Sequence, residues 1–262
     1  MTEKTVVADW SAEQYSKFER ERTIPALDLV NAIEVSGVQS ILDVGCGPGN
    51  STAVLKKRFP DAHIIGVDNS DDMLASARKK HPDLAFRKVD VPNELDEIGQ
   101  KFDIVFSNAC LQWIPNHTEL LRKLMSLVND GGVLAVQMPS QEKLPLRKLV
   151  QDVAASGTWA DKISVARKSN LLAESEYFDV LSEIASDFRL WETAYFHAMP
   201  SHEAIVEWYK STGLRPYLEQ LSDGDKAAFE RDVLCAVEKA YSKQKNGEII
   251  FRFPRLFFIA KK

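Results

Sequence analysis

The stretch ILDVGCGPGNST, residues 41–52, constrains the fold more than any other part of the chain. An apolar run leads into three alternate glycines, Gly45, Gly47 and Gly49, and a helix-like segment follows. Glycine removes side chains where a backbone turns sharply and comes close to something. Between a strand and a helix, such a loop has the setting that nucleotide-type ligands require.

The segments around it supply that setting. SILDV, HIIGVD, LAFRKVD, FDIVFSN and GGVLAVQMP read as strands, alternating with the helical NSTAVLKKRF, SDDMLASARKKH and HTELLRKLMSLV. Ser70 opens the second of these helices, with acids in its first turn. The alternation predicts an α/β fold, a parallel sheet with helices on both faces, and ligands at the carboxyl ends of its strands. Ahead of it, Ser11 and Gln14 resemble a capping box opening a helix through AEQYSKFERER. Pro25 suits the first turn of a second helix, PALDLVNAIEV, which Gly37 ends.

After Pro139 the pattern becomes largely helical, apart from the strand-like FRLWETAYFHAMP near 187–197. Residues 156–172 have weak periodicity and read as a loop or a lid. The closing GEIIFRFPRLFFIAKK is strand-like, and Pro254 within it predicts an edge position or a bulge. The expected organisation is 1–139 as N-terminal helices and binding core, 140–247 as a helical cap or insertion, and 248–262 as a final strand.

A net charge of −5 gives no general attraction to nucleic acid or anionic membrane. No apolar run approaches the roughly 18 residues of a membrane span. The N-terminal MTEKTVVADWSAEQY is polar where a secretory signal needs an apolar core. Cys46, Cys110 and Cys235 are odd in number and lack metal-ligand spacing, so each is expected as a small buried residue. A cytoplasmic protein is expected, with no resident metal and as a monomer.

Three acids bear on what the loop holds. Asp68 ends the second strand, where a carboxylate can accept both hydrogen bonds of a ribose diol and repel a phosphate. Asp43, just before the turn, favours a cationic ligand part over pyrophosphate, and Asp90 can accept from an adenine amino group. The glycine spacing is G-x-G-x-G, with Asn50 where a dinucleotide fingerprint has its third glycine. A structural role for each acid, and an NAD-dependent oxidoreductase or a non-catalytic nucleotide-binding module, remain as alternatives.

LDVGCGPGNS, GVDNSDDML, KVDV and FSNACLQWI, in this order, resemble the successive motifs of class I S-adenosylmethionine-dependent methyltransferases. The resemblance implies a doubly wound, Rossmann-like sheet of seven mostly parallel strands with a helical insertion. It places Asp43, Gly45, Cys46, Gly47 and Gly49 near the methionine part, with Asp68 and Asn69 at the ribose. Met73, Asp90 and Val91 fall at the adenine, and Asn108 and Ala109 on the sulfonium side. Tyr15 and Gln112 are candidates for polar contacts to the same cofactor, which would leave as S-adenosylhomocysteine.

Methyl transfer from a sulfonium is an in-line displacement in which positioning is most of the task. A carboxylate acceptor is already ionised at neutral pH and needs no general base. No Ser/His/Asp set is evident, so no catalytic acid or base is expected. WSAEQYSKFERERTIPALDL, YFHAMPSHEAIVEWYKSTGLRPYL and FPRLFFIAKK resemble the trans-aconitate 2-methyltransferases, least so across 140–172. That family's reaction implies a small polycarboxylate acceptor; another small or carrier-bound carboxylate is the alternative. Arginine gives carboxylates planar two-point recognition, which makes Arg22, Arg215 and Arg255 the candidate anchors, Arg22 equally for the methionine carboxylate. Trp113, Tyr195, Trp208 and Tyr209 are candidate wall residues that core packing would equally explain. His197 is a candidate hydrogen-bonding partner of the substrate, and His117 a helix-start residue.

Overall fold

The computed structural model describes residues 19–164, 170–210 and 212–262, without the side chains of residues 19, 20, 22 and 141. SILDV, HIIGVD, AFRK and FDIVFSN form β1 (Ser40–Val44), β2 (His63–Asp68), β3 (Ala85–Lys88) and β4 (Phe102–Asn108). They pair in parallel, with Asp43 beside Gly66 on one side and Phe106 on the other. β5 (Val128–Pro139) lies parallel to β4, and β6 (Asp187–Met199) and β7 (Ile249–Lys261) complete the order β3-β2-β1-β4-β5-β7-β6. Helices on both faces leave β1 and β4 as near-continuous apolar runs: Ile41, Leu42, Val44, Ile104, Val105 and Phe106 are fully buried.

Local chemistry sets the helix ends. α1 spans Glu19–Asn31, and α2 spans Asn50–Arg58, starting at Gly49 with φ 89° and ending in Lys56, Lys57 and Arg58. α3 (Asp71–Lys80) is capped by Ser70, whose Oγ accepts from the N–H of Met73. Asp71 and Asp72 then sit at its positive end, with Arg78, Lys79 and Lys80 at its negative end. α4 (His117–Ser126) follows β4, and α5 (Pro145–Ala154) and α6 (Glu174–Ile184) follow β5. Between β6 and β7 come α7 (His202–Lys210), the single turn α8 (Arg215–Leu218) and α9 (Asp223–Ala240).

The chain divides into two compact units. One comprises the residues up to Met138 with Asn170–Trp191 and Phe257–Lys262; the other comprises Pro139–Ser169 and Glu192–Leu256. The first unit buries the residues of β1 and β4 together with Leu74, Leu121, Leu124 and Tyr177. The second is built on α9, which packs against α5 and α7 and turns Phe229, Val233 and Val237 inward. Burying each of those side chains is worth roughly 1.5–3 kcal/mol. Trp159 joins that core, edge-on to Phe229, and its Nε1 donates to Asp232 Oδ2 at 2.8 Å.

Several expectations are corrected. Pro25 stands inside α1 rather than in the first turn of a second helix, and α1 stops at Asn31 instead of running to Gly37. A proline whose φ is already helical loses one hydrogen bond but need not end the helix. β7 is not an edge strand, since it lies between β5 and β6. The pairs Lys262 N–H to Gly132 and Ser140 N–H to Pro254 show that it runs antiparallel to β5. Pro254 thus faces Ser140, one residue past the end of β5, where its missing N–H interrupts no ladder. Cys235 is exposed, because it occupies the face of α9 opposite Phe229, Val233 and Val237. Trp159 holds the first part of 156–172 in a core, while 165–169 lie outside the described residues.

Candidate functional site

The first unit carries the residues expected at a cofactor. The glycine turn leaves β1 with positive φ at Gly45 (72°), Gly47 (53°) and Gly49 (89°). At Gly45 a Cβ would lie 2.1 Å from Cys110 Sγ, so the turn after β4 packs directly on this loop. A Cβ at Gly47 would meet nothing within 4 Å. The N–H groups of Gly45 and Cys46 donate to Val67 O at 2.8 and 3.0 Å, tying the loop to β2, and the Cys46 side chain is buried.

Asp68, at the end of β2, accepts from the N–H of Gly47 on Oδ2 (2.9 Å) and from the N–H of Ser70 on Oδ1 (3.0 Å). One carboxylate therefore fixes both the glycine loop and the start of α3. Asn69 beside it is exposed, and Met73 is buried on α3. Asp90 Oδ2 accepts from Asn93 Nδ2 at 2.9 Å, and its own N–H donates to Glu94 Oε2 at 2.8 Å; Val91 is half-buried next to it.

Asp43 has a role the sequence did not disclose. It is fully buried, and its Oδ2 accepts from Ser51 Oγ and Thr52 Oγ1, each at 2.7 Å, which ties β1 to the first turn of α2. Burial pushes its pKa up to about 6 against the lowering effect of the two hydroxyls, and the Asp68 charge adds to the rise.

After β4 the chain turns at Ala109, with φ 54°, and Ala109 N–H donates to Gln137 O at 2.9 Å. Gln112 Nε2 donates to Ala109 O at 2.7 Å, and Gln112 O accepts from Asn170 Nδ2 at 3.2 Å. His117 Nε2 lies 2.9 Å from Leu111 O. Trp113 is half-buried on this same turn. Three buried oxygens in the region have no hydrogen-bond partner among the described residues: Asp43 Oδ1, Asn108 Oδ1 and Gln112 Oε1. They stand at the carboxyl ends of the neighbouring strands β1 and β4 and in the turn that follows. Such acceptors suit a ligand bearing N–H donors or positive charge and disfavour a phosphate.

The second unit carries the residues expected at an acceptor. His197 is buried on β6, with its ring 4.9 Å from Trp208 and stacked at 6.3 Å on Tyr195. Phe253 touches this group, 6.2 Å from His197 and 5.8 Å from Trp208, and the guanidinium of Arg255 lies 4.8 Å from the centre of the Phe253 ring. The structure thus gathers Tyr195, His197, Trp208 and Arg255 around one phenylalanine, with Arg255 only 4% exposed. Tyr209 is buried on α7, with its ring against the turn at Gly213. Arg215 opens α8 and pairs with Glu219 one turn on, Nε to Oε1 at 2.7 Å. Tyr15 and the side chain of Arg22 lie outside the described residues.

Sequence reasoning also missed the buried pair His117–Tyr177 and the cation Arg147, which pairs with Glu142 at 2.9 Å. His117 does start α4, as its position suggested, but its ring lies in the core. Among the described residues no helix is long and apolar enough to cross a membrane.

Known proteins supply a comparison for this arrangement. The family described as "Methyltransferase domain" matches residues 37–203. The chain is 41% identical to a trans-aconitate 2-methyltransferase of Escherichia coli O7:K1 over 256 residues, covering 98% of this chain and 99% of that protein. A protein of the same name from Shigella flexneri is 41% identical over the same shares. Among solved structures, the YcgJ protein of Bacillus subtilis superposes with a TM-score of 0.56 at 14% identity, covering 91% of this chain and 99% of that one. Phosphoethanolamine N-methyltransferase 2 of Haemonchus contortus, solved in complex with S-adenosyl-L-methionine, gives 0.55 at 17% identity, covering 92% and 52%. At such identities the two structures speak for the fold.

Proposed function

The chain belongs to the trans-aconitate 2-methyltransferase family, and from that membership we propose that it methylates one carboxylate of trans-aconitate with S-adenosylmethionine. The observation that carries the donor assignment is the set of buried acceptors Asp43 Oδ1, Asn108 Oδ1 and Gln112 Oε1 beside the glycine loop, which have no partner among the described residues. An ammonium group and a positive sulfur fit that lining; a pyrophosphate does not.

When bound, S-adenosylmethionine supplies an activated methyl on a sulfonium. The residues of this chain bind and orient it. Asp43 and the loop from Gly45 to Gly49 take the methionine end, with Cys46 packed beneath. Asp68, whose two oxygens accept from the N–H groups of Gly47 and Ser70, takes the ribose hydroxyls, with Asn69 beside it. Met73, Asp90 and Val91 flank the adenine, and Asn108, Ala109 and Gln112 lie toward the sulfur.

On the acceptor side, Arg255 and Arg215 bind carboxylates, and Tyr195, His197 and Trp208 shape the apolar surroundings. The reacting carboxylate oxygen takes the methyl carbon as the carbon–sulfur bond breaks, and the bonding pair stays on sulfur. The products are a monomethyl ester and a neutral thioether. No proton moves, so no general base is assigned. Three free cysteines accord with a reduced cytoplasmic enzyme, and we read it as acting as a monomer.

The test is to incubate purified protein with S-adenosylmethionine and trans-aconitate. The ester and S-adenosylhomocysteine should accumulate in equal amounts. Cofactor binding without ester, while another acid in a broad panel is methylated, would overturn the acceptor assignment.

A further inference from the structure

Arg147 belongs to none of the residues assigned above. It lies on α5, and its Nη2 is 2.9 Å from Oε1 of Glu142. Its side chain is 13% exposed and that of Glu142 57%, so a largely buried cation meets a carboxylate that stands in water. Two phenols share its surroundings. Burial raises both Tyr209 and Tyr217 on α8 above the ordinary phenol range, and the charge of nearby Arg147 acts against that rise in each. Both rings are buried, at 3% and 6% exposure.

The position of Tyr209 is fixed by the backbone. A Cβ at Gly213 would lie 1.9 Å from its Cζ and 2.3 Å from its hydroxyl oxygen, so that turn exists around the phenol. A guanidinium offers planar two-point recognition of a carboxylate, and phenol hydroxyls add single donors. An ion pair with an exposed glutamate is weak in water, because solvent screens it and the side chain gives up freedom to hold it. A carboxylate arriving from solution can therefore take the place of Glu142.

We propose that Arg147, with the hydroxyls of Tyr209 and Tyr217, is a subsite for a carboxylate of the acceptor, and that Glu142 occupies its guanidinium until the acceptor arrives. The inference rests on the reading of the chain as a polycarboxylate methyltransferase. It names a cationic anchor beyond Arg215 and Arg255, and it predicts that the enzyme counts the carboxylates on its substrate.

The experiment compares Arg147→Gln, Tyr217→Phe and Glu142→Gln with the unaltered enzyme. KM is measured for trans-aconitate and for unsaturated dicarboxylates lacking one or another of its carboxyl groups, and S-adenosylmethionine affinity is measured by calorimetry. Arg147→Gln should raise KM for the tricarboxylate about tenfold or more, the scale of one charge-assisted two-point contact. For the dicarboxylate that lacks the group bound there, it should change KM little, and cofactor affinity should hold. Glu142→Gln should lower KM for the tricarboxylate. Tyr217→Phe removes one oxygen, guards against a folding defect at Arg147, and should raise the same KM severalfold. Equal losses on every acid, or an unchanged KM in folded Arg147→Gln and Tyr217→Phe, would overturn the subsite. If the unaltered enzyme binds cofactor but esterifies no trans-aconitate, the functional reading is what fails. Calorimetry with the tricarboxylate then decides the subsite separately: weaker binding to Arg147→Gln supports it, and equal binding overturns it.

Discussion

Tyr177 Oη lies 2.6 Å from Nδ1 of His117, and both side chains are buried. Leu111 O, 2.9 Å from Nε2, can only accept, so the neutral ring carries its proton on Nε2 and takes the phenol proton on Nδ1. This relay fastens the turn that carries Gln112 and Trp113 to α6. Tyr177→Phe removes the hydroxyl and leaves the buried His117 Nδ1 without its donor, so it should cost about 1–3 kcal/mol, read as a lower Tm by calorimetry. Cofactor affinity should fall severalfold, because the turn loosens.

The same histidine makes stability depend on pH. Burial lowers its basicity below the ordinary 6.5, against the raising effect of its bonds to Leu111 and Ile114. The unfolded chain then takes up a proton at a pH where the folded one does not. Its contribution is whole above the ordinary value and is lost as pH falls from there toward the folded value. The Tm difference between the wild type and His117→Gln should therefore be largest at neutral pH and shrink as pH is lowered from 7 to about 5.

Asp43 has the opposite sign. Its folded value of about 6 stands above the ordinary 3.8, so the protonated form favours folding and that contribution is lost as pH rises through 6. A ligand cation beside it reverses the preference. Wild-type affinity for S-adenosylmethionine should therefore rise with pH through this range, with proton release visible in calorimetry across buffers. Asp43→Asn should keep or raise Tm at pH 8 and weaken cofactor binding about tenfold or more. A pH-independent affinity in the wild type would count against a cation at this carboxylate.

Two glycines of one loop should fail differently. Gly45→Ala drives a Cβ into Cys110 at 2.1 Å and should lower Tm by far more than Gly47→Ala. Gly47→Ala meets only the backbone cost of a left-handed residue, about 1–2 kcal/mol, because nothing lies within 4 Å of its Cβ. If the open space at Gly47 is where ligand approaches, that variant should lose cofactor affinity out of proportion to its stability. Thermal melts with and without S-adenosylmethionine separate the two effects.

Arg255→Ala should raise KM for polycarboxylates about tenfold or more while S-adenosylmethionine binding stays nearly intact. Equal loss of both would mean that this buried cation, set against Phe253, supports the second unit instead. Circular dichroism of the variant checks that the unit remains folded.

The parallel half of the fold is legible in the sequence because β1 to β4 are short apolar runs broken by glycine and capped helices, all local signals. Asp43 was legible as an acid beside the loop but not as a partner of Ser51 and Thr52, since a buried and a solvated carboxylate share one letter. His117 and Tyr177 are 60 residues apart, and no periodicity links them. Arg147 sits in LRKLVQDVA, where a cation looks like part of a solvated helix face. Pro254 misled because its fitness depends on where β5 stops, a property of another strand.

The place of β7 between β5 and β6 has a consequence for synthesis. Chains emerge amino end first. The strand that separates β5 from β6 is thus the last of the seven to leave the ribosome. Until it does, β5 presents an open, apolar edge and β6 has no neighbour to pair with. The newborn protein passes through a stage with six strands and a gap, vulnerable to pairing with another chain. Removing β7 would leave that gap permanent.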